Sequence, residues 1–302
     1  MADPSPAVLY DCRDGVGLIT FNRPQQLNSW GLISIPYFDA LDQAAADPTC
    51  RVIVVAGSGK AWCAGADVVG QGKGWDAKEK KKATPKKTDA ASPSSDAGAR
   101  IRNIDTDQQG RWVNHAQHIP KLVIACVNGA VAGGGFAQIL NCDVRFAAAG
   151  VAFASAFARR GLIAEFGVSQ TLAKVAGTGV AMDLLISGRK IYAEEALQLG
   201  IVQRVYPKEE LLEATLSYAR DIAVNVPPSS MAAIKNQILS SQSTPMMEVV
   251  KQANRLMFQS FSAPEHKEGV KSYLEKRKPQ FPPYDENHPL VKMSKEIRES
   301  KL

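Results

Sequence analysis

Two glycine-bearing segments constrain this chain most, Ala61-Trp62-Cys63-Ala64-Gly65-Ala66-Asp67 and Asn128-Gly129-Ala130-Val131-Ala132-Gly133-Gly134-Gly135. Each follows an apolar, β-branched run, Arg51 to Val55 and Leu122 to Val127, and each leads toward a helix. At such a turn the first backbone N–H groups of the helix have no intrahelical acceptor, and the helix dipole adds positive potential. Glycine and alanine let the backbone approach a ligand closely, and glycine alone takes positive φ without penalty. One turn of this kind is explained by packing. Two in succession look like the halves of an oxyanion hole, with donors aimed at an oxygen before its charge develops.

Further pieces are Phe21-Asn22-Arg23-Pro24, Leu27-Asn28, Asn141-Cys142-Asp143, Ser187-Gly188-Arg189 and the run from Ala193 to Val202. With the two glycine segments they resemble the enoyl-CoA hydratase/isomerase family, the crotonase superfamily, from about Val16 to about Phe281, closest to its fungal peroxisomal isomerases and hydratases. The resemblance implies an α/β fold, a crotonase-like spiral of ββα units with a C-terminal helical trimerisation region, and a thioester enolate as the shared intermediate. It puts the oxyanion donors at Ala66 and Gly134. It lays Gln25, Gln26 and the Ala61 to Ala64 backbone along coenzyme A, with Gly65, Asp67, Gly133 and Phe157 bordering the substrate. Phe261 and Lys276 fall near positions where relatives touch coenzyme A. No permanently bound cofactor is implied, because coenzyme A belongs to the substrate, and trimers, often paired into hexamers, are expected.

A chain of 302 residues with 45% hydrophobic content can bury a substantial core. No apolar run is long enough to span a bilayer, and the start, Met1 to Pro6, lacks the features of a secretory signal. A soluble protein made in the cytosol is expected. Five cysteines without metal-ligand spacing argue against a disulfide framework or a zinc site, and Cys63 and Cys142 read as packing residues. The chain ends in Ser300-Lys301-Leu302, the tripeptide read by the peroxisomal import receptor, after a polar tail, Lys292 to Glu299. Import into the peroxisome matrix of a eukaryote is the expectation.

The net charge of +6 owes much to Lys78, Lys80, Lys81, Lys82, Lys86 and Lys87. They lie in a nearly apolar-free insertion, about residues 71–107, directly after the first oxyanion segment. It reads as a solvated surface loop or as a gate that draws in the polyphosphate of coenzyme A. No aromatic residues interleave the lysines, so nucleic-acid binding is not expected.

The organisation expected is a core over residues 1–207 carrying that insertion, a helical region over 208–281, and a flexible tail over 282–302. Strands are predicted at Val16 to Phe21, Arg51 to Val55, Leu122 to Val127, Val144 to Ala147, Val151 to Ala154 and Ile201 to Val205. Helices are predicted at Leu32 to Ala46, Trp112 to Ile119, Phe136 to Asn141, Leu211 to Val226, Ser229 to Leu239, Met246 to Phe261 and Pro264 to Arg277.

The family's hydratases carry two glutamates, and the matching positions here hold Ala137 and Phe157, neither of which transfers a proton. Glu165, in Arg159-Arg160-Gly161-Leu162-Ile163-Ala164-Glu165-Phe166-Gly167, matches the single glutamate of peroxisomal Δ3-Δ2-enoyl-CoA isomerases. One carboxylate can take a proton from the α carbon and return it to the γ carbon while the hole holds the dienolate. Phe157, Ile163 and Phe166 are expected to bury it in part. The structural alternative has Glu165 paired with Arg159 or Arg160, or capping the next helix.

Asp67 reads as a turn-shaping acceptor and Asp143 as an anchor for the end of its helix. His115 and His118 lack a third ligand, so no metal site is expected. Trp112 is the tryptophan expected to line an acyl tunnel, with Trp30, Trp62 and Trp75 as packing residues. Open alternatives are a hydratase of branched or hydroxylated acyl-CoA and a non-catalytic acyl-CoA binder.

Overall fold

The structure is a computed structural model that describes residues 5–66 and 106–300. The predicted β-branched runs form β2 (Val16–Phe21), β3 (Val52–Gly57), β5 (Leu122–Val127) and β7 (Val144–Ala148), packed side by side in parallel. Buried on both faces, such strands read as near-continuous apolar runs. The edges of this six-stranded sheet are β1 (Val8–Arg13), antiparallel to β2, and β10 (Arg204–Tyr206), parallel to β7. β1 was not expected; its residues alternate between half-buried and exposed, and the Asp14-Gly15 turn, both residues at positive φ, closes it onto β2. The return strand begins at Arg204 rather than Ile201.

After β3, β5 and β7 the chain turns sharply into a second strand of a four-stranded sheet. These are β4 (Ala61–Cys63), β6 (Ala130–Ala132) and β8 (Ala152–Ala154), mutually parallel, with β9 (Ile191–Tyr192) antiparallel to β8. Each turn of the spiral is thus a strand in one sheet, a strand in the other, and a helical return. Asn128 ties successive turns together, its Oδ1 accepting the Gly57 N–H at 2.9 Å.

Helix α1 (Trp30–Ala46) packs against β1 and β2, and Lys121, fully buried, donates to the carbonyls of Ala44 at 2.7 Å and Asp47 at 2.8 Å at its end. Asp47 accepts the Thr49 hydroxyl at 2.6 Å, the Tyr10 hydroxyl at 2.8 Å and the Thr49 N–H at 2.8 Å. The Thr49 hydroxyl first, then Tyr10, hold its pKa down to about 2, against partial burial. A folded-state pKa below the unfolded one stabilises above the unfolded value and is lost as pH falls through the folded one. Asp47→Asn is therefore expected to melt lower than wild type at pH 7, with the gap closing between about pH 4 and pH 2 in melts over a pH series.

The remaining helices are α2 (His115–His118), α3 (Gly134–Asn141), α4 (Val168–Ala176), α5 (Thr178–Ser187), α6 (Ala193–Gln198), α7 (Leu211–Asn225), α8 (Pro228–Ser241), α9 (Met246–Phe261), α10 (Pro264–Leu274) and α11 (Pro289–Glu299). α2 is one turn, shorter than predicted, and α10 stops before Lys276, which takes a left-handed conformation with φ 52°. The tail read as flexible instead carries α11. Leu290, Val291 and Ile297 are buried, and Leu290 and Ile297 form a small cluster with Ala233 of α8 and Leu256 of α9. Arg298 reaches back to the Gln117 carbonyl at 2.9 Å.

Asp143 also departs from expectation. It accepts the Val123 N–H at 2.8 Å and the Lys235 ammonium at 2.7 Å, so it fastens β5 and α8 rather than α3. Cys63 and Cys142 are buried as expected, and burial pushes both thiols up to about 12. Among the described residues no helix is long and apolar enough to cross a membrane.

Candidate functional site

Where the first two spiral turns meet, the chain Cys63-Ala64-Gly65-Ala66 runs beside Ala132-Gly133-Gly134-Gly135. Gly65 has φ 82°, and a β-carbon on it would lie 2.7 Å from the Ala132 carbonyl oxygen. A β-carbon on Gly135 would fall onto the Cys63 carbonyl. Only glycines allow the two segments this close. Asn28, fully buried, braces the first segment by donating to the Ser58 carbonyl at 3.0 Å and the Ala61 carbonyl at 2.8 Å. The Trp30 N–H bonds the Gly65 carbonyl at 2.8 Å and the Ala64 N–H bonds the Leu27 carbonyl at 3.1 Å. The Gly133 N–H bonds the Ala154 carbonyl at 3.1 Å. Ala66 N–H and Gly134 N–H, the first of α3, have no acceptor among the described residues.

Both border a cavity of about 240 Å³ lined by Trp30, Gly31, Ala64, Ala66, Ala132, Gly133, Gly134, Ser155, Ala156, Phe157, Arg160, Leu162, Glu165 and Phe166. Among the described residues Glu165 is the sole carboxylate of this lining. It makes no ion pair among the described residues. Arg159 donates instead to the Ser187 carbonyl at 2.7 Å and Arg160 to the Ala156 carbonyl at 2.8 Å. The N-cap of α4 is Gly167, with no side-chain cap, so Glu165 does not serve there.

The expected apolar cover is present in part. Phe157 and Phe166 line the cavity with ring centroids 6.4 Å apart, whereas Ile163 is 81% exposed. Ala156 and Phe166 hold positive φ, 61° and 58°, without being glycine. Such strain persists only where the surroundings impose it, and it clusters at functional sites.

The cavity brings together Ala64, Ala66, Gly133, Gly134, Phe157 and Glu165 of the predicted set. Gln25 and Gln26, exposed in a 3-10 turn, fall outside its lining, and Lys276 and the buried Ala61 are outside it too; Gly65 stands behind the wall as a backbone support. Asp67, Trp75, the lysine cluster, Lys301 and Leu302 lie outside the described residues, and Ser300 caps the end of α11. Ala137 is buried in the core and not in the lining.

The tryptophan assignment is corrected. Trp112 is 53% exposed and absent from the lining, whereas Trp30 forms a wall, its pyrrole edge 3.2 Å from where a Gly134 β-carbon would stand. Its place two residues after the buried Asn28 was the signal available. His115 is paired with Asp42 at 2.6 Å, neither histidine borders the cavity, and among the described residues no group of three side chains could hold a metal.

Gly65→Ala tests the junction. The added methyl must displace the Ala132 carbonyl, and left-handed alanine costs roughly 1–2 kcal/mol. Loss of one oriented donor lowers turnover by about 10²–10³. Steady-state kinetics with a melt check both; unchanged turnover would place the oxygen elsewhere.

Comparison with known proteins agrees with this geometry. The chain matches the enoyl-CoA hydratase/isomerase family over residues 11–92 and 100–283. The 1,2-epoxyphenylacetyl-CoA isomerase of Escherichia coli is 30% identical over 278 residues, covering 91% of this chain and 97% of its own. A probable enoyl-CoA hydratase of Rhizobium meliloti is 33% identical over 275 residues, with 91% and 97% covered. Among solved structures, an enoyl-CoA hydratase of Mycobacterium marinum is 42% identical with a TM-score of 0.60, over 78% of this chain and 97% of its own.

Proposed function

This chain belongs to the enoyl-CoA hydratase/isomerase family and is an acyl-CoA enzyme of that type, and from that premise we propose that it is a Δ3-Δ2-enoyl-CoA isomerase. The observation that carries the reading is Glu165, unpaired and the one carboxylate of its cavity among the described residues, beside two backbone donors that find no acceptor among them. In the proposed reaction the Glu165 carboxylate takes a proton from the α carbon of a 3-enoyl thioester. The electron pair moves toward the thioester oxygen, which the Ala66 and Gly134 N–H groups hold as a dienolate. The carboxylic acid then returns the proton to the γ carbon, and the double bond lies between the α and β carbons. No bound cofactor takes part.

Coenzyme A is proposed to leave the cavity past Ala64 toward Gln25, Gln26 and Ala61, with Lys276 contributing at the nucleotide. The exposed apolar side chains of α9 and α10, including Met246 (73%), Phe258 (68%) and Tyr273 (83%), support a trimer, paired or not into a hexamer. The C-terminal Ser300-Lys301-Leu302 supports delivery by the peroxisomal import receptor to the matrix, and with it the fungal peroxisomal grouping.

A second reading, hydration, is favoured by the name of the Rhizobium meliloti relative. Against it stands the lining, which among the described residues offers one carboxylate where two-glutamate hydration needs two. Incubation with 3-hexenoyl-CoA and with crotonyl-CoA separates them. Conversion of the first to 2-hexenoyl-CoA without hydration of the second is expected. Water addition to crotonyl-CoA with no isomerisation would replace the isomerase reading by the hydratase one.

A further inference from the structure

Among the described residues Arg160 is the other charged residue of the cavity lining, and nothing in the proton shuttle uses it. It ends the 3-10 turn Ala158–Arg160, and its Nη1 donates to the carbonyl of Ala156, itself part of the wall, at 2.8 Å. That bond ties the guanidinium to the rim of the cavity. Neighbouring Arg159 is drawn away to the Ser187 carbonyl by its own bond at 2.7 Å. Arg111, Arg189, Arg220 and Arg277 hold carboxylates at 2.6–2.9 Å, whereas Arg160 holds none among the described residues, Glu165 included.

A guanidinium presents five donors in a planar fork matched to a carboxylate. Here one donor is engaged on an exposed side chain at the rim, and among the described residues the other polar side chains of the lining are Glu165, Trp30 and Ser155, whose hydroxyl already donates to the Leu184 carbonyl at 2.8 Å. A plain hydrocarbon chain laid against this rim would strip water from the charge and return no acceptor. An acyl group with its own carboxylate would return two oxygens in bidentate geometry.

We propose that Arg160 makes this a site for coenzyme A monothioesters of dicarboxylic acids, the guanidinium binding the free carboxylate at the far end of the acyl group. The proposal rests on the acyl-CoA reading above and names the substrate class of the same cavity. The captured carboxylate fixes the chain at both ends, with its thioester oxygen on the Ala66 and Gly134 donors, and so presents the α carbon to Glu165.

Calorimetric binding of adipoyl-CoA and hexanoyl-CoA, six-carbon ligands that differ in the terminal carboxylate, tests this without any need for turnover. Wild type is expected to bind adipoyl-CoA about 10- to 100-fold more tightly, the range of a charge-assisted hydrogen bond. The preference should vanish in Arg160→Leu and return in part in Arg160→Lys. Equal weakening of both ligands would put the guanidinium on the coenzyme A phosphates and overturn the proposal. Hexanoyl-CoA bound as well as adipoyl-CoA by wild type would overturn it while leaving the acyl-CoA reading intact. Binding of neither would bring down that reading, and the proposal with it.

Discussion

Glu165→Gln is expected to lower kcat for the Δ3-to-Δ2 shift by about 10²–10⁴, the usual contribution of a positioned proton-transfer group. Glutamine keeps the shape of the side chain, so the cavity and its affinity for acyl-CoA should persist. An amide cannot accept the α proton, and among the described residues no second carboxylate borders the cavity to replace it. The variant also separates catalysis from scaffold. A structural Glu165 would hold Arg159, Arg160 or the start of α4, and its loss would show in a melt. Both arginines are bound to carbonyls and the N-cap of α4 is Gly167 with no side-chain cap, so the melting temperature should stay within a degree or two of wild type. Full turnover by Glu165→Gln would remove this residue from the mechanism and with it the one-base isomerase.

The largest loss of stability is expected at Lys235. Its ammonium donates to the Asp143 carboxylate at 2.7 Å, the Ala116 carbonyl at 2.9 Å and the Lys121 carbonyl at 3.2 Å. Burial pushes its pKa down, and the neighbouring Asp143 carboxylate opposes that shift. Lys235→Ala leaves the half-buried Asp143 carboxylate without its cation and two carbonyls without their donor, a loss approaching that of a broken buried pair, about 3–5 kcal/mol, and about 10 °C in melting temperature for a chain of this size. The effect should reach the site, because Asp143 also accepts the Val123 N–H near the start of β5 at 2.8 Å, and β5 leads through β6 to Gly133 and Gly134. Adding Asp143→Asn should recover part of the loss, since an amide oxygen still accepts from Val123 and no charge remains unpaired. A melt unchanged in Lys235→Ala would mean that the cavity left behind rehydrates freely.

Much of the site was legible in local residue order. Glycine and alanine at strand-to-helix turns mark the two segments in the residue order, the family resemblance puts the candidate donors at Ala66 and Gly134, and both border the cavity. The parallel strands were legible because burial on both faces leaves continuous runs such as Val52–Gly57. β1 was missed because half-buried Val8–Arg13 alternates weakly and pairs on one side only. The tail helix was missed because its apolar residues Leu290, Val291 and Ile297 are few among charged neighbours. They form a face only against Ala233 and Leu256, which come from elsewhere in the chain.

The order of residues, with the resemblance it carries, thus named the candidate groups: the Ala66 and Gly134 N–H groups, one carboxylate at Glu165, and Ala137 and Phe157 where the resemblance implies glutamates. These are properties of residue type and short-range backbone geometry. Which tryptophan walls the cavity, which arginine stays on its rim and what Asp143 holds were decided by packing. Arg159 leaves because the Ser187 carbonyl from α5 reaches it, and Arg160 stays because Ala156 is bent back under it. Such choices turn on contacts between residues far apart in the chain or on strained backbone, and adjacent residues of the same type become distinguishable only once those contacts exist.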